Sequence, residues 1–100
     1  LNMESMPALY RLRARTLLVM QRPEEALRDV EAALRMAQSQ SALTDELRSA
    51  IMLVGIHQNT GQRETSRGLL AATYAKFEKG FNLPDLKHAE LLLASFDNCT

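Results

Sequence analysis

Tryptophan is absent, there is one cysteine, and aromatic residues make up only 5% of the 100-residue chain. The lone Cys99 sits in the C-terminal tail with no partner for an internal disulfide, which points to a reducing, cytoplasmic setting. An excess of charge is missing too, since 12 Lys+Arg offset 12 Asp+Glu. That balance argues against a chain whose main task is coating nucleic acid or an anionic membrane. No apolar run approaches the ~20 residues that span a bilayer, and no signal-peptide pattern opens the chain. What is present is 46% hydrophobic residues, so Leu, Ala, Ile, Val and Met must fill the core. Such a composition suits close helix packing better than a sandwich or barrel. The length fits one domain over residues 1–100. The chain opens on Leu1 and reads as a module excised from a larger protein.

Five helices are expected. The first runs from Met6 to Met20, with one apolar stripe of Met6, Leu9, Tyr10, Ala14, Leu17 and Met20 and another of Leu12, Thr16 and Val19. Two stripes imply more than one neighbour. Pro23 starts the second helix, where Ala26, Leu27, Val30, Ala33, Leu34 and Ala37 share a face. On its other side Glu24–Arg28 and Glu31–Arg35 have the spacing of i,i+4 ion pairs. The third helix, from about Thr44 to Asn59, is apolar on most sides and is expected to be the most buried.

The organising stretch is 61–93. Gly61 ends the third helix, and Ser66, Leu70, Thr73 and Phe77 then form one stripe, flanked by Leu69 and Tyr74. Gly80 suits a left-handed helix end, with Phe81 folding back over the last turn. Asn82 is the expected cap, and Pro84 opens a closing helix over 84–96. That helix is apolar along Leu86, Ala89, Leu93 and Phe96 and polar along Lys87, Glu90 and Ala94.

Residues 7–40 and 47–80 each have the ~34-residue length of a tetratricopeptide unit. Tyr10, Ala14, Leu17, Ala26, Val30 and Ala33 fill signature positions of the first unit, and Ala50, Leu53, Gly61 and Leu70 those of the second. Arg13 and Ser66 depart from that consensus. The expected fold is thus all-α: about five antiparallel helices in tetratricopeptide-like helix–turn–helix repeats with a C-terminal closing helix. An ordinary helical bundle is the alternative.

The run Glu46-Leu47-Arg48-x-Ala50, Gly61-x-Arg63, Leu69-Leu70-Ala71, Tyr74-x-x-Phe77-x-x-Gly80-Phe81, Asp85-Leu86 and Ala89-x-x-Leu92-Leu93 carries a resemblance. It is similar to the C-terminal tetratricopeptide-like module of bacterial STAND/AAA-type ATPase regulators. In those proteins the ATPase follows a class III adenylate/guanylate cyclase or a winged-helix DNA-binding domain. The resemblance implies a regulatory module of a signalling or transcription-regulating protein, with Gly61, Tyr74, Phe77, Gly80, Phe81 and Pro84 in structural roles.

Nothing in the chain has the pattern of a catalytic site. His57 and His88 are the only histidines, and neither has Cys, Asp or Glu at zinc-ligand spacing. Asp85 and His88, three apart, make a surface contact the simplest reading. No GxxxxGK[ST] occurs, and no basic group stands near Cys99 to activate it. The fragment is read as non-catalytic, with no metal and no cofactor. Arg11, Arg13, Arg15 and Arg22 form a basic run without an interrupting acid, yet no aromatic interleaves for base stacking, so no direct nucleic-acid binding is expected.

Arg13 falls on the main apolar stripe between Leu9 and Leu17. An unpaired charge there would be costly, so either a neighbouring helix supplies a carboxylate or the stripe lines a groove where a partner does. The candidate interaction surface is Arg11, Arg13, Arg15, Met52 and Ile56. Its partner would be another protein, another domain of the same chain, or a second copy in a homodimer. A structural cap with no partner is the competing reading. A small-molecule pocket with Tyr10, His57 and Tyr74 as polar contacts is a third.

Overall fold

A computed structural model describes residues 6–58, 62–77 and 83–97. Among them lie five α-helices and no strand: α1 (Met6–Val19), α2 (Pro23–Ser39), α3 (Leu43–His57), α4 (Arg63–Ala75) and α5 (Pro84–Asp97). Each begins or ends within two residues of its expected limits where the expectation named them. Pro23 and Pro84 both open helices, where a missing N–H costs no hydrogen bond. Acids occupy several first turns, Glu24 and Glu25 in α2, Asp45 and Glu46 in α3, Glu64 in α4 and Asp85 in α5. There they meet the positive end of the helix dipole. Gly61, Gly80, Phe81, Asn82 and Cys99 lie outside the described residues.

The first two turns share one device. Arg22 N donates to Leu17 O at 2.8 Å and Gln21 N to Leu18 O at 3.0 Å. Ala42 N donates to Ala37 O at 2.9 Å and Ser41 N to Gln38 O at 3.2 Å. Both are Schellman closures, which place one residue in the left-handed region. Here it is Gln21 (φ 61) and Ser41 (φ 54), neither of them glycine.

Each helix packs on the next, and α3 also meets α1 and α5, so it touches every other helix. The backbones of α1 and α2 make no close approach to α4 or α5. Two apolar clusters result, one on either side of α3. Ala14, Ala26, Val30 and Leu53 bind α1 and α2 to it, while Leu47, Ala50, Val54, Leu70, Leu86, Ala89 and Phe96 bind α4 and α5. Leu69 packs on both. With seven buried residues among fifteen, α3 is the most buried helix, as its sequence implied. The smallest dimension, 19 Å, is about two helix diameters, so the helices form a two-layer slab.

The α2 face came out as expected, with Ala26, Val30, Ala33, Leu34 and Ala37 buried. So did the α4 face, with Ser66, Leu70 and Thr73 buried and Tyr74 and Phe77 packed on the larger cluster. On α5, Leu86, Ala89 and Phe96 are buried and Lys87, Glu90 and Ala94 exposed.

The main stripe of α1 came out only in part: Ala14 is buried and Leu17 packs on the α1–α2–α3 cluster, but Leu9 and Met20 are exposed. The buried residues of the helix are Pro7, Arg11 and Ala14, while Leu9, Leu12, Val19 and Met20 face outward. The side of α1 that packs is therefore rotated from the expected one, and the second apolar stripe meets no helix among the described residues. Neither Glu24–Arg28 nor Glu31–Arg35 closes to an ion pair. Exposed pairs gain so little that holding two long side chains still can cancel it.

Candidate interaction groove

Three helices present stripes to one groove of about 850 Å³. The stripes are Arg11, Arg15 and Leu18 on α1, Arg48, Ile51, Met52, Gly55 and Ile56 on α3, and Asp85, His88 and Leu92 on α5; Pro23, Val54 and Gln58 line the groove outside them. The spacings are i, i+4, i+7 on α1, i, i+3, i+4, i+7, i+8 on α3 and i, i+3, i+7 on α5. Each is one face of a helix.

Along every stripe the charged residues come first and the apolar ones after. Two pairs bring the charged ends together. Arg11 Nη2 donates to Asp45 Oδ1 at 3.0 Å, and its Nη1 lies 3.4 Å from both Asp45 O and Ser49 Oγ. Arg48 Nε donates to Asp85 Oδ2 at 2.9 Å. The first pair ties α1 to α3 and the second ties α3 to α5. At the other end, Met52 and Ile56 pack partly buried against the α1–α2–α3 cluster.

Gly55 lies mid-groove, and a Cβ built there would meet nothing within 4 Å. A helix-interior glycine costs roughly 1 kcal/mol against alanine, and no neighbour requires it here. Gly68 of α4 is equally unhindered but does not line this groove.

Of the five candidate surface residues, Arg11, Arg15, Met52 and Ile56 come together here. Arg13 does not. It lies on another side of α1, where Nε and Nη2 each donate to an Asp29 carboxylate oxygen at 2.7 Å. Its guanidinium also stands over the Tyr10 ring, 5.5 Å from the centroid. The pairing with a neighbouring helix was anticipated, but the burial is reversed: Arg13 is 66% exposed and Asp29 only 8%. The hydrogen bonds and charge of Arg13 hold Asp29 below the usual carboxylate range.

The residues expected to form a small-molecule pocket do not converge. Tyr10 sits with Met6, Leu9 and Arg13 in a separate, smaller cleft. His57 is buried, its Nδ1 bonded to Ser66 Oγ between α3 and α4. Tyr74 donates its hydroxyl to Glu90 Oε1 at 2.5 Å, which raises its ionisation above the ordinary value. Asp85 is engaged by Arg48 from α3. Among the described residues no three His, Cys, Asp or Glu side chains gather as metal ligands. No described helix is long and apolar enough to cross a membrane.

Sequence reasoning missed Leu18, Arg48, Ile51, Asp85, His88 and Leu92 as groove residues. The α3 and α5 stripes were readable as helical spacings, but which stripes face one another depends on packing. Compared with family models, curated proteins and solved structures, the chain matches none.

Proposed function

We propose that this chain is a non-catalytic protein–protein interaction and regulatory module, a tetratricopeptide-like stack with units 7–40 and 47–80 and a closing helix at 84–96. The observation that carries the reading is the groove shared by α1, α3 and α5, the alternate helices of the chain. Helical repeats bind through extended surfaces formed by equivalent helices of successive units. Packing of each helix on its successor, with α3 also reaching α1 and α5, is the pattern such a stack requires. The resemblance in 46–93 makes the proposed setting a cytoplasmic, multidomain bacterial regulator of the STAND ATPase type. There the module would hold, release or oligomerise the attached ATPase.

A structural cap is the second reading, favoured by the exposed polar side of α5 along Lys87 and Glu90. Sedimentation across a concentration series, with and without the attached ATPase domain, separates the two. Association that rises with concentration, in either mixture, supports the interaction module. A monomer throughout, with no binding to the ATPase, favours the cap.

A further inference from the structure

We infer that the α1–α3–α5 groove takes a peptide segment of a protein partner in which a cluster of carboxylates adjoins a short apolar stretch; this rests on the interaction-module reading. The charge of the groove is one-sided although the chain as a whole is neutral. Three arginines line it against a single aspartate; Asp85 engages Arg48 and Asp45 engages the buried Arg11, which leaves Arg15 as the uncompensated positive charge. Arg15 is exposed and makes no hydrogen bond or ion pair among the described residues. Arg48 keeps half its side-chain surface open, and exposed His88 stands beside its partner Asp85. This end of the groove offers guanidinium donors to an incoming carboxylate.

The other end offers Leu18, Ile51, Met52, Ile56 and Leu92 and no ionisable group. Methionine and branched aliphatics there can bury the apolar side chains of a bound segment. A nucleic acid would use the cations but not this floor, and no Phe, Tyr or Trp among the described residues lines the groove for bases to stack on. The order of charge then apolar surface along all three stripes matches a segment with the same segregation. An evenly alternating one would set carboxylates on the apolar end.

The test is a selection from a random peptide display library against the intact chain, followed by anisotropy with the selected consensus peptide. Enriched sequences should carry Asp or Glu next to Leu, Ile, Met or Phe. Arg15→Glu should weaken binding about tenfold, with Arg28→Glu, outside the groove, unchanged. Gly55→Leu should abolish binding while the chain stays folded, because its Cβ enters open space and leucine is the better helix former. Neutral or basic consensus peptides that Gly55→Leu blocks would overturn the carboxylate inference and leave the module reading standing. Peptides indifferent to Gly55→Leu, or no enrichment at all, would overturn both. Tighter binding of a single-stranded oligonucleotide than of any peptide, or a dimer that Gly55→Leu dissociates, would also overturn it, in favour of nucleic acid or a second copy.

Discussion

Arg13 of α1 grips Asp29 of α2 with two parallel N–H···O bonds of 2.7 Å, and the aspartate, not the arginine, is the buried partner. Arg13→Met therefore leaves a buried carboxylate without its donors, and Tm should fall. The loss should depend on pH in a fixed direction. Asp29 ionises in the fold below its ordinary value of 3.8, so the pair stabilises fully above that pH and fades as pH drops through the folded-state value. Thermal melts of the wild type and Arg13→Met should converge on acidification. A gap that stays constant would place the role of Arg13 in its contact with Tyr10 instead.

Gln21 and Ser41 close two helices from the left-handed region without being glycine. Replacing either by glycine relieves the Cβ clash and adds freedom to the unfolded chain, two opposed effects. Relief of the clash outweighs the added freedom at such closures, so each change should stabilise by about 0.5–1 kcal/mol in urea titrations. The two turns lie at opposite ends of the 17-residue α2, so their effects should add.

Lys76, just past α4, reaches Glu46 Oε2 at 2.5 Å, and Glu46 is only 2% exposed. Lys76→Met should cost ~1–3 kcal/mol, because the carboxylate stays buried with its counter-charge gone. Adding Glu46→Gln should recover most of that loss, since it removes the stranded charge. A double-mutant cycle reads the coupling directly, and a value near zero would mean that water serves Glu46 as well as Lys76 does.

Leu70 is fully buried in the α3–α4–α5 cluster, whereas Leu91 of α5 is 62% exposed. Leu70→Ala should cost ~2–5 kcal/mol, a large share of the stability of a domain this size. Leu91→Ala should stay within about 0.5 kcal/mol. Equal effects in denaturant titrations would mean that Leu91 is covered in solution.

The helices were legible because their signals are local. Pro23 and Pro84 mark starts by their covalent structure, and the Ala26–Ala37 face is clean because most other positions of α2 are polar, with Ala32 and Met36 the apolar exceptions. The orientation of α1 was not legible. Apolar residues surround that helix, and counting them favoured the stripe through Leu9 and Arg13. What decides the matter is Asp45 with Ser49, more than thirty residues away, whose oxygens let the long Arg11 side chain turn inward. Periodicity treats an arginine as surface, so a buried one paired across the fold is invisible to it. The groove was half legible for a similar reason: helical spacing groups Arg11 with Arg15 and Met52 with Ile56, but the α5 wall follows from how α5 lies on α3.

Because α1–α2 and α4–α5 join almost wholly through α3, the molecule is two leaves on one spine. The groove walls belong to different leaves, with α1 on one side and α5 on the other. Its width therefore gauges the angle between them. A segment bound across both walls would fix that angle, and a change in the angle would open or narrow the groove. Occupancy and leaf angle would then be a single mechanical coordinate, read at α3.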